Sequence, residues 1–312
     1  MKTFKIFNRK NILITGGTGS IGSEIVRQLI KNHRPKQIRV YSRDESKHYF
    51  LQKEIEEINT KKIDIKFLIG DVRDKERLDK AFRNIDIVFH VAALKHVPFC
   101  EYNPFEAIKT NIYGTQNVID LSIEHNIEKV IAISTDKAVN PNTIMGISKL
   151  MMERMIVSSS SYIGPSKTKF CVVRFGNVLN SRGSVVPLWI DQIKKGKDVT
   201  VTDKNMKRFF MTIPEAVSLI FLATSNMRGQ EIFVLKMPEK NIYKLAQETI
   251  KRYAHGKNVK IKITGARDRE KIVEHLHTDE EKKLMIEKDK LFIIFPNKKQ
   301  LLNNLDKYAI LN

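Results

Sequence analysis

The stretch NILITGGTGSIG, residues 11–22, decides the fold. Its first five residues form a short apolar run that reads as a buried strand. Glycines follow as Gly16-x-x-Gly19-x-x-Gly22 and open a stretch of helical spacing over 20–32. A strand, a glycine turn and a helix in that order bring backbone N–H groups and a helix N-terminus to where a pyrophosphate would sit. A glycine loop alone is also what an ordinary tight turn looks like. The flanking strand and helix favour dinucleotide binding, and the loop residues assigned to it are Gly16, Thr18, Gly19, Ser20, Ile21 and Gly22.

Outward from this loop, apolar runs at 38–41, 65–69, 87–90, 129–133 and 170–174 alternate with amphipathic stretches at 45–59, 75–83 and 106–125. That rhythm predicts an α/β chain with a Rossmann-like, doubly wound parallel sheet. It breaks beyond Gly176, where helices are expected at 185–195, 214–225, 241–253 and 279–287. The remainder suggests a smaller C-terminal α/β substrate lobe.

The chain has 312 residues, enough for one or two domains. Lys plus Arg outnumber Asp plus Glu, 55 against 35, for a formal charge of +20. The lysines are spread along the chain, and no zinc-finger, helix-turn-helix or RNA-recognition signature occurs. Nucleic-acid binding is therefore the weakest reading, and attraction of phosphate-bearing cofactors and substrates to a basic cleft fits better. The two cysteines, Cys100 and Cys171, have no metal spacing. They argue for a reducing compartment and against disulfides or a metal site. No apolar run reaches membrane-spanning length, so a cytoplasmic protein without a membrane partner is expected.

The tips of the predicted strands carry the chemistry. Ser42 and Arg43 follow the second run, and Lys47 comes one turn later. An acidic tip suits the ribose 2′-hydroxyl of NAD, whereas a basic one suits the 2′-phosphate of NADP. NADP is favoured; the alternative makes Arg43 a surface charge and Asp44 the ribose ligand of NAD. The third run leads to Asp71, placed to bond the adenine amine, and Val72. After the fourth, the small Ala92 and Ala93 let a dinucleotide lie against backbone, and Lys95 is set to reach a phosphate. His90 and His96 have no partner at a catalytic spacing and read as packing or surface imidazoles. The fifth run continues into Thr135, Asp136 and Lys137, an acid and an amine at the ligand-facing sheet edge. Met145 and Lys149, four apart on the next predicted helix, share a face.

These residues resemble the extended short-chain dehydrogenase/reductase superfamily, in which the last pair is normally Tyr and Lys. Three further runs tighten the match: AALKHVP at 92–98 with EYNPFEAIKTN at 101–111, STDKAVNP at 134–141, and RFGNVLNSRGSVVP at 174–187. Together they are similar to UDP-N-acetylglucosamine 4,6-dehydratases of surface-glycan synthesis, over roughly residues 11–276. The resemblance implies hydride abstraction at sugar C4, elimination of water across C5–C6 and hydride return to C6, with the C5 centre retained or inverted. It makes Asp136 the C6 acid and Lys137 the C5 base. Methionine cannot carry the O4 proton, but some members of this group also have Met at the position of Met145. Thr135 as a relay, Asp136 or Lys149 must then accept that proton, and Lys149 also bonds the nicotinamide ribose.

For the UDP-N-acetylhexosamine substrate, the resemblance assigns the diphosphate to Asn177 and the helix start at Val185. Arg208 and Arg267 clamp phosphates, Glu270 bonds the ribose, and Lys95 is a further contact. The family run Gly-x-Arg-x-Gly-Glu-Lys has Arg269 here in place of its second glycine. The implied division is 1–175 plus 208–235 for the NADP domain and 176–207 plus 236–312 for the nucleotide-sugar lobe. A homo-oligomer, dimer or hexamer, is also implied. A UDP-hexose 4-epimerase and a non-catalytic NADP-binding regulator are the competing readings.

Overall fold

The computed structural model describes residues 4–308. Its strands are β1 (Asn11–Thr15), β2 (Gln37–Ser42), β3 (Asp64–Ile69), β4 (Ile87–His90), β5 (Lys129–Thr135), β6 (Lys169–Phe175) and β7 (Asn177–Val178). They continue as β8 (Val199–Val201), β9 (Lys207–Met211), β10 (Ile232–Leu235), β11 (Glu239–Asn241), β12 (Ile261–Ile263), β13 (Met285–Glu287) and β14 (Leu291–Ile294). The large sheet runs β13-β14-β10-β6-β5-β4-β1-β2-β3. From β3 to β10 every pairing is parallel. The order β3-β2-β1-β4-β5-β6 is that of a dinucleotide-binding sheet, and its direction reverses between β1 and β4, where a ligand crevice opens.

Side-chain caps fix where several crossover helices start. Asp44 accepts from Lys47 N, Asp74 from Arg77 N and Thr143 from Gly146 N. Thr212 and Glu215 form a reciprocal capping box ahead of helix Ile213–Asn226, which returns to the large sheet beside Ser20–Asn32. One hydrophobic core packs under that sheet; a second, with Val186, Trp189, Ile193, Val199, Phe210 and Leu245, forms the lobe.

The structure departs from the sequence expectations in two regions. The helix expected at 106–125 is Pro104–Ile108 and Gly114–Glu124 joined by a π-helical turn at Lys109–Tyr113, and a helix at Val97–Tyr102 precedes it. Pro98 and Pro104 sit in first turns, where the missing N–H costs nothing. The helix expected at 279–287 spans only Asp279–Lys282. Its apolar continuation instead forms β13, which pairs antiparallel with β14, and β14 pairs antiparallel with β10. The tail assigned to the lobe therefore extends the large sheet, with Leu291, Ile293 and Tyr308 in the main core. Both cysteines are free and buried. Among the described residues no helix is long and apolar enough to cross a membrane.

Candidate active site

A cleft of about 840 Å³ runs along the C-terminal edge of the parallel strands and up to the lobe. Every residue assigned above to cofactor, substrate or reaction lines it, except Gly22, Asp136 and the alternative ribose ligand Asp44.

The glycine loop forms one end. Gly16 has φ +66°, and a Cβ there would stand 2.7 Å from Ala92 N; one on Gly22 would stand 2.4 Å from Gly16 O. Only glycine permits this close approach of loop, helix and fourth strand. Gly19 caps helix Ser20–Asn32 without a side-chain acceptor, and the first turn has no acidic residue. Its amides are thus left for an external anion. This cradle fits a dinucleotide pyrophosphate. At the β2 tip, Thr18 and Ser42 hydroxyls bond at 2.8 Å. Arg43 and Lys47 line the cleft, whereas Asp44 does not. Asp44 turns back onto its own helix, accepting from the Lys47 N–H at 2.9 Å and from the Lys47 ammonium. The Asp71 carboxylate takes three bonds from Arg73, one from its backbone N–H and two from its guanidinium, and faces Arg43 at 3.5 Å.

The reaction end is built on the tip of β5. Thr135 Oγ1 donates to Asp136 Oδ1 at 3.0 Å, and Lys137 Nζ donates to the same oxygen at 3.0 Å. Asp136 is fully buried, and its Oδ2 lies against Gly176, where a Cβ would stand 2.9 Å away. The acid therefore meets the cleft through Thr135 and Lys137. Lys137 Nζ also donates to Asn177 Oδ1 at 3.3 Å and lies 3.6 Å from Glu274 Oε1.

The next helix, Ile144–Ser158, brings Met145 and Lys149 to the same wall. Met145 packs with Cys100 and Ala107. Lys149 Nζ donates to Ile133 O at 2.6 Å, and burial, only partly offset by Glu153, lowers its pKa to about 8. His90 is buried between Thr15 and Thr115 hydroxyls at 2.8 and 3.0 Å. Burial, with Lys149 nearby, lowers its pKa to about 3, so it is a neutral packing group.

On the lobe side, helix Val185–Lys194 opens at the cleft with no side-chain cap. Arg208 is buried and donates to the carbonyls of Lys207, Lys271 and Ile272, so it ties down the segment around 265–273. Arg267 stays exposed, and its backbone N–H donates to Glu270 Oε2 at 3.1 Å. Arg269 adopts φ +61°, the left-handed region that favours glycine, at the place where the family run has its second glycine.

Three residues escaped sequence reasoning. Glu274 reaches Lys137 from a loop with no periodicity. Arg182 donates to Thr18 O at 2.8 Å, its N–H donates to Ser20 Oγ at 3.0 Å, and its carbonyl accepts from Lys95, which folds its loop over the glycine turn. Asn111, on the π-helical turn, bonds both backbone groups of Leu94 and donates to Ser148 Oγ at 2.9 Å. A π turn inside a helix is the one local signal for it, and sequence alone does not reveal that turn.

The pattern defining the polysaccharide biosynthesis protein family matches residues 12–296. The chain belongs to that family. It is 42% identical to a UDP-N-acetylglucosamine 4,6-dehydratase (inverting) of Campylobacter jejuni, over 94% of this chain and 84% of that one. It is 50% identical to an uncharacterized membrane protein of Methanocaldococcus jannaschii, over 93% and 87%. It is 42% identical to a UDP-glucose 4-epimerase of Rickettsia akari, over 88% and 80%. The X-ray structure of Pen from Bacillus thuringiensis superposes with a TM-score of 0.89 at 45% identity, covering 93% of this chain and 89% of that one. The family and the sheet order make this an extended short-chain dehydrogenase/reductase fold.

Proposed function

We propose that this chain is a UDP-N-acetylglucosamine 4,6-dehydratase, a hydro-lyase that recycles NADP internally. The reading is carried by the Thr135–Asp136–Lys137 cluster at the cleft wall. Exchange of hydride at C4 alone, as in an epimerase, gives an acid and an amine at this place nothing to do. Relatives with either activity are about equally similar, so the cluster, not the likeness, favours dehydration.

A bound nicotinamide supplies hydride acceptance at C4 and hydride return at C6. This chain's residues move the protons. The O4 proton passes through Thr135 to Asp136, a route supported by the Thr135 hydroxyl already donating to Asp136 Oδ1 at 3.0 Å. The C4 ketone acidifies C5–H, and the amine of Lys137 takes that proton as the C6–O bond breaks. Asp136 delivers the O4 proton to the departing hydroxyl, so one water leaves and the carboxylate is restored. C5 regains a proton, which restores the Lys137 amine when Lys137 is the donor. Lys149 holds the nicotinamide ribose.

Arg43 and Lys47 in the cleft, with Asp44 spent as a helix cap, support NADP over NAD. Asn177, the Val185 helix start, Arg267 and Glu270 receive the UDP moiety, and Lys95 lies between the two ligands. Exposed Phe99, Tyr102, Phe105, Ile147 and Met151 on neighbouring helices support a homo-oligomer. Free buried cysteines are consistent with a cytoplasmic enzyme.

NMR of the protein with UDP-N-acetylglucosamine in D₂O tests the reading. A 4-keto-6-deoxy product carrying deuterium at C5 is expected, and its C5 configuration distinguishes retention from inversion. Lys137→Met should lower that rate by roughly 10²–10⁴-fold. UDP-N-acetylgalactosamine free of deuterium would establish the epimerase. Unchanged substrate with bound cofactor would favour the regulator.

A further inference from the structure

Glu274 belongs to none of the elements that carry the reaction residues, yet its carboxylate is only 4% exposed and borders the cleft. Oε1 lies 3.6 Å from Lys137 Nζ. Oε2 has no hydrogen-bond partner among the described residues. Its nearest cation is Lys271 Nζ at 3.8 Å, and that ammonium is already donating to Val139 O at 2.6 Å. A buried carboxylate oxygen without a donor is costly, so a donor from outside the chain is the natural complement.

The place of Glu274 is fixed by arginines from outside the turn that carries Lys137. Arg174 Nη1 donates to Leu276 O at 3.1 Å, and the same guanidinium holds Glu153 and Glu281. Arg208 ties Lys271 and Ile272 by their carbonyls. Buried arginines thus brace the segment on both sides of Glu274. The charged groups around Lys137 are Asp136 on its own turn, Glu274 and Lys271 on this segment, and the Arg208–Glu270 pair behind it.

We propose that Glu274 is a positioning residue for Lys137 that also receives the sugar. Oε1 orients the amine and stabilises the ammonium formed when Lys137 takes the C5 proton. Oε2 accepts a hydrogen bond from a hydroxyl of the bound hexose. The C5–H bond breaks, the proton goes to Nζ, and the electron pair enters the C5–C6 double bond as C6–O breaks. This inference rests on the dehydratase reading.

Two variants separate the roles. Glu274→Gln keeps an acceptor oxygen and loses the charge; Glu274→Ala loses both. Steady-state kinetics with UDP-N-acetylglucosamine, C5 deuterium uptake by NMR, and calorimetry with UDP alone are the measurements. Glu274→Gln should lower kcat and C5 exchange together by roughly ten- to hundredfold while KM changes less than about threefold. Glu274→Ala should lose at least as much kcat and also raise KM by roughly tenfold. UDP should bind parent and variants alike. A Glu274→Gln enzyme with kcat within about twofold of the parent overturns the proposal. So does a loss of UDP binding matching the loss of rate, because that marks a merely structural role. A parent that yields no dehydrated product removes the dehydratase reading itself, and with it this role; a parent that turns over with an unaffected variant removes only the role.

Discussion

Replacing Arg174 by methionine would test whether the buried ionic cluster organises the reaction site. Arg174 is fully buried and makes two bonds to Glu153 at 3.0 and 2.6 Å and two to Glu281 at 2.9 and 2.8 Å. Burial disfavours its charge, but the two carboxylates outweigh that and hold the guanidinium above its ordinary pKa. Methionine of similar length removes the guanidinium bonded to both Glu153 and Glu281 and leaves Arg154 near Glu281 and Lys149 near Glu153 as the remaining cations, neither of them bonded in Arg174's place. Removing one member of such a cluster costs about 3–5 kcal/mol, a large share of the ~5–15 kcal/mol that holds a typical domain. Urea unfolding followed by far-ultraviolet circular dichroism should therefore give a midpoint well below that of the parent. The triple change Glu153→Leu, Arg174→Met and Glu281→Leu should recover most of the loss, because an apolar replacement of the whole cluster is close to neutral. Glu281 adds a pH signature. Burial pushes its carboxyl up, Arg174 pulls it down by more, and the net pKa is below 4.5. Its stabilisation is present above the unfolded carboxylate's pKa and is lost as pH falls through the lowered value; Arg174→Met should remove that acid-side slope. An Arg174→Met protein within about 1 kcal/mol of the parent would refute the reasoning.

Arg43→Ala should weaken NADP binding by roughly tenfold, as expected for a lost phosphate partner, and leave NAD nearly unchanged by calorimetry; equal losses for both would mean Arg43 does not meet the 2′-phosphate. Arg269→Gly relieves a left-handed backbone at φ +61°, and after glycine's entropy cost should gain about 0.5–1 kcal/mol in denaturant unfolding. His90 titrates near 6.5 when unfolded and about 3 when folded. Its contribution is thus full above pH 6.5 and declines as pH falls through that window, so His90→Gln should flatten the melting temperature between those values.

The parts legible in the sequence are those whose cause is local. Gly22 is required by contacts within one strand–turn–helix unit, and Gly16 by its own positive φ as well as by the approach of Ala92; strand β5 announces itself as an apolar run buried along Lys129–Ser134. The position of Asp136 and Lys137 followed from strand order alone, since the C-terminal edge of a parallel sheet is where ligands sit. What stayed hidden depends on segments that only tertiary structure brings together. An apolar run such as Leu291–Ile294 suits either a lobe strand or an edge of the main sheet, because periodicity does not name a partner. The glycine missing at Arg269 does not reveal that a left-handed turn is kept there, with the segment just after it tied by Arg208 through the carbonyls of Lys271 and Ile272. The burial of Asp136 carries the same lesson into the chemistry. Residue types at the sheet edge identify an acid and a base, but their access to the cleft is set by the neighbours. Thr135 and Lys137 line the cleft and bond Asp136, while Gly176 gives the buried carboxylate room behind them. The relay proposed above would therefore be a property of the packed cluster, and under the dehydratase reading substituting Thr135 should disturb the fate of the O4 proton even though threonine itself is no acid.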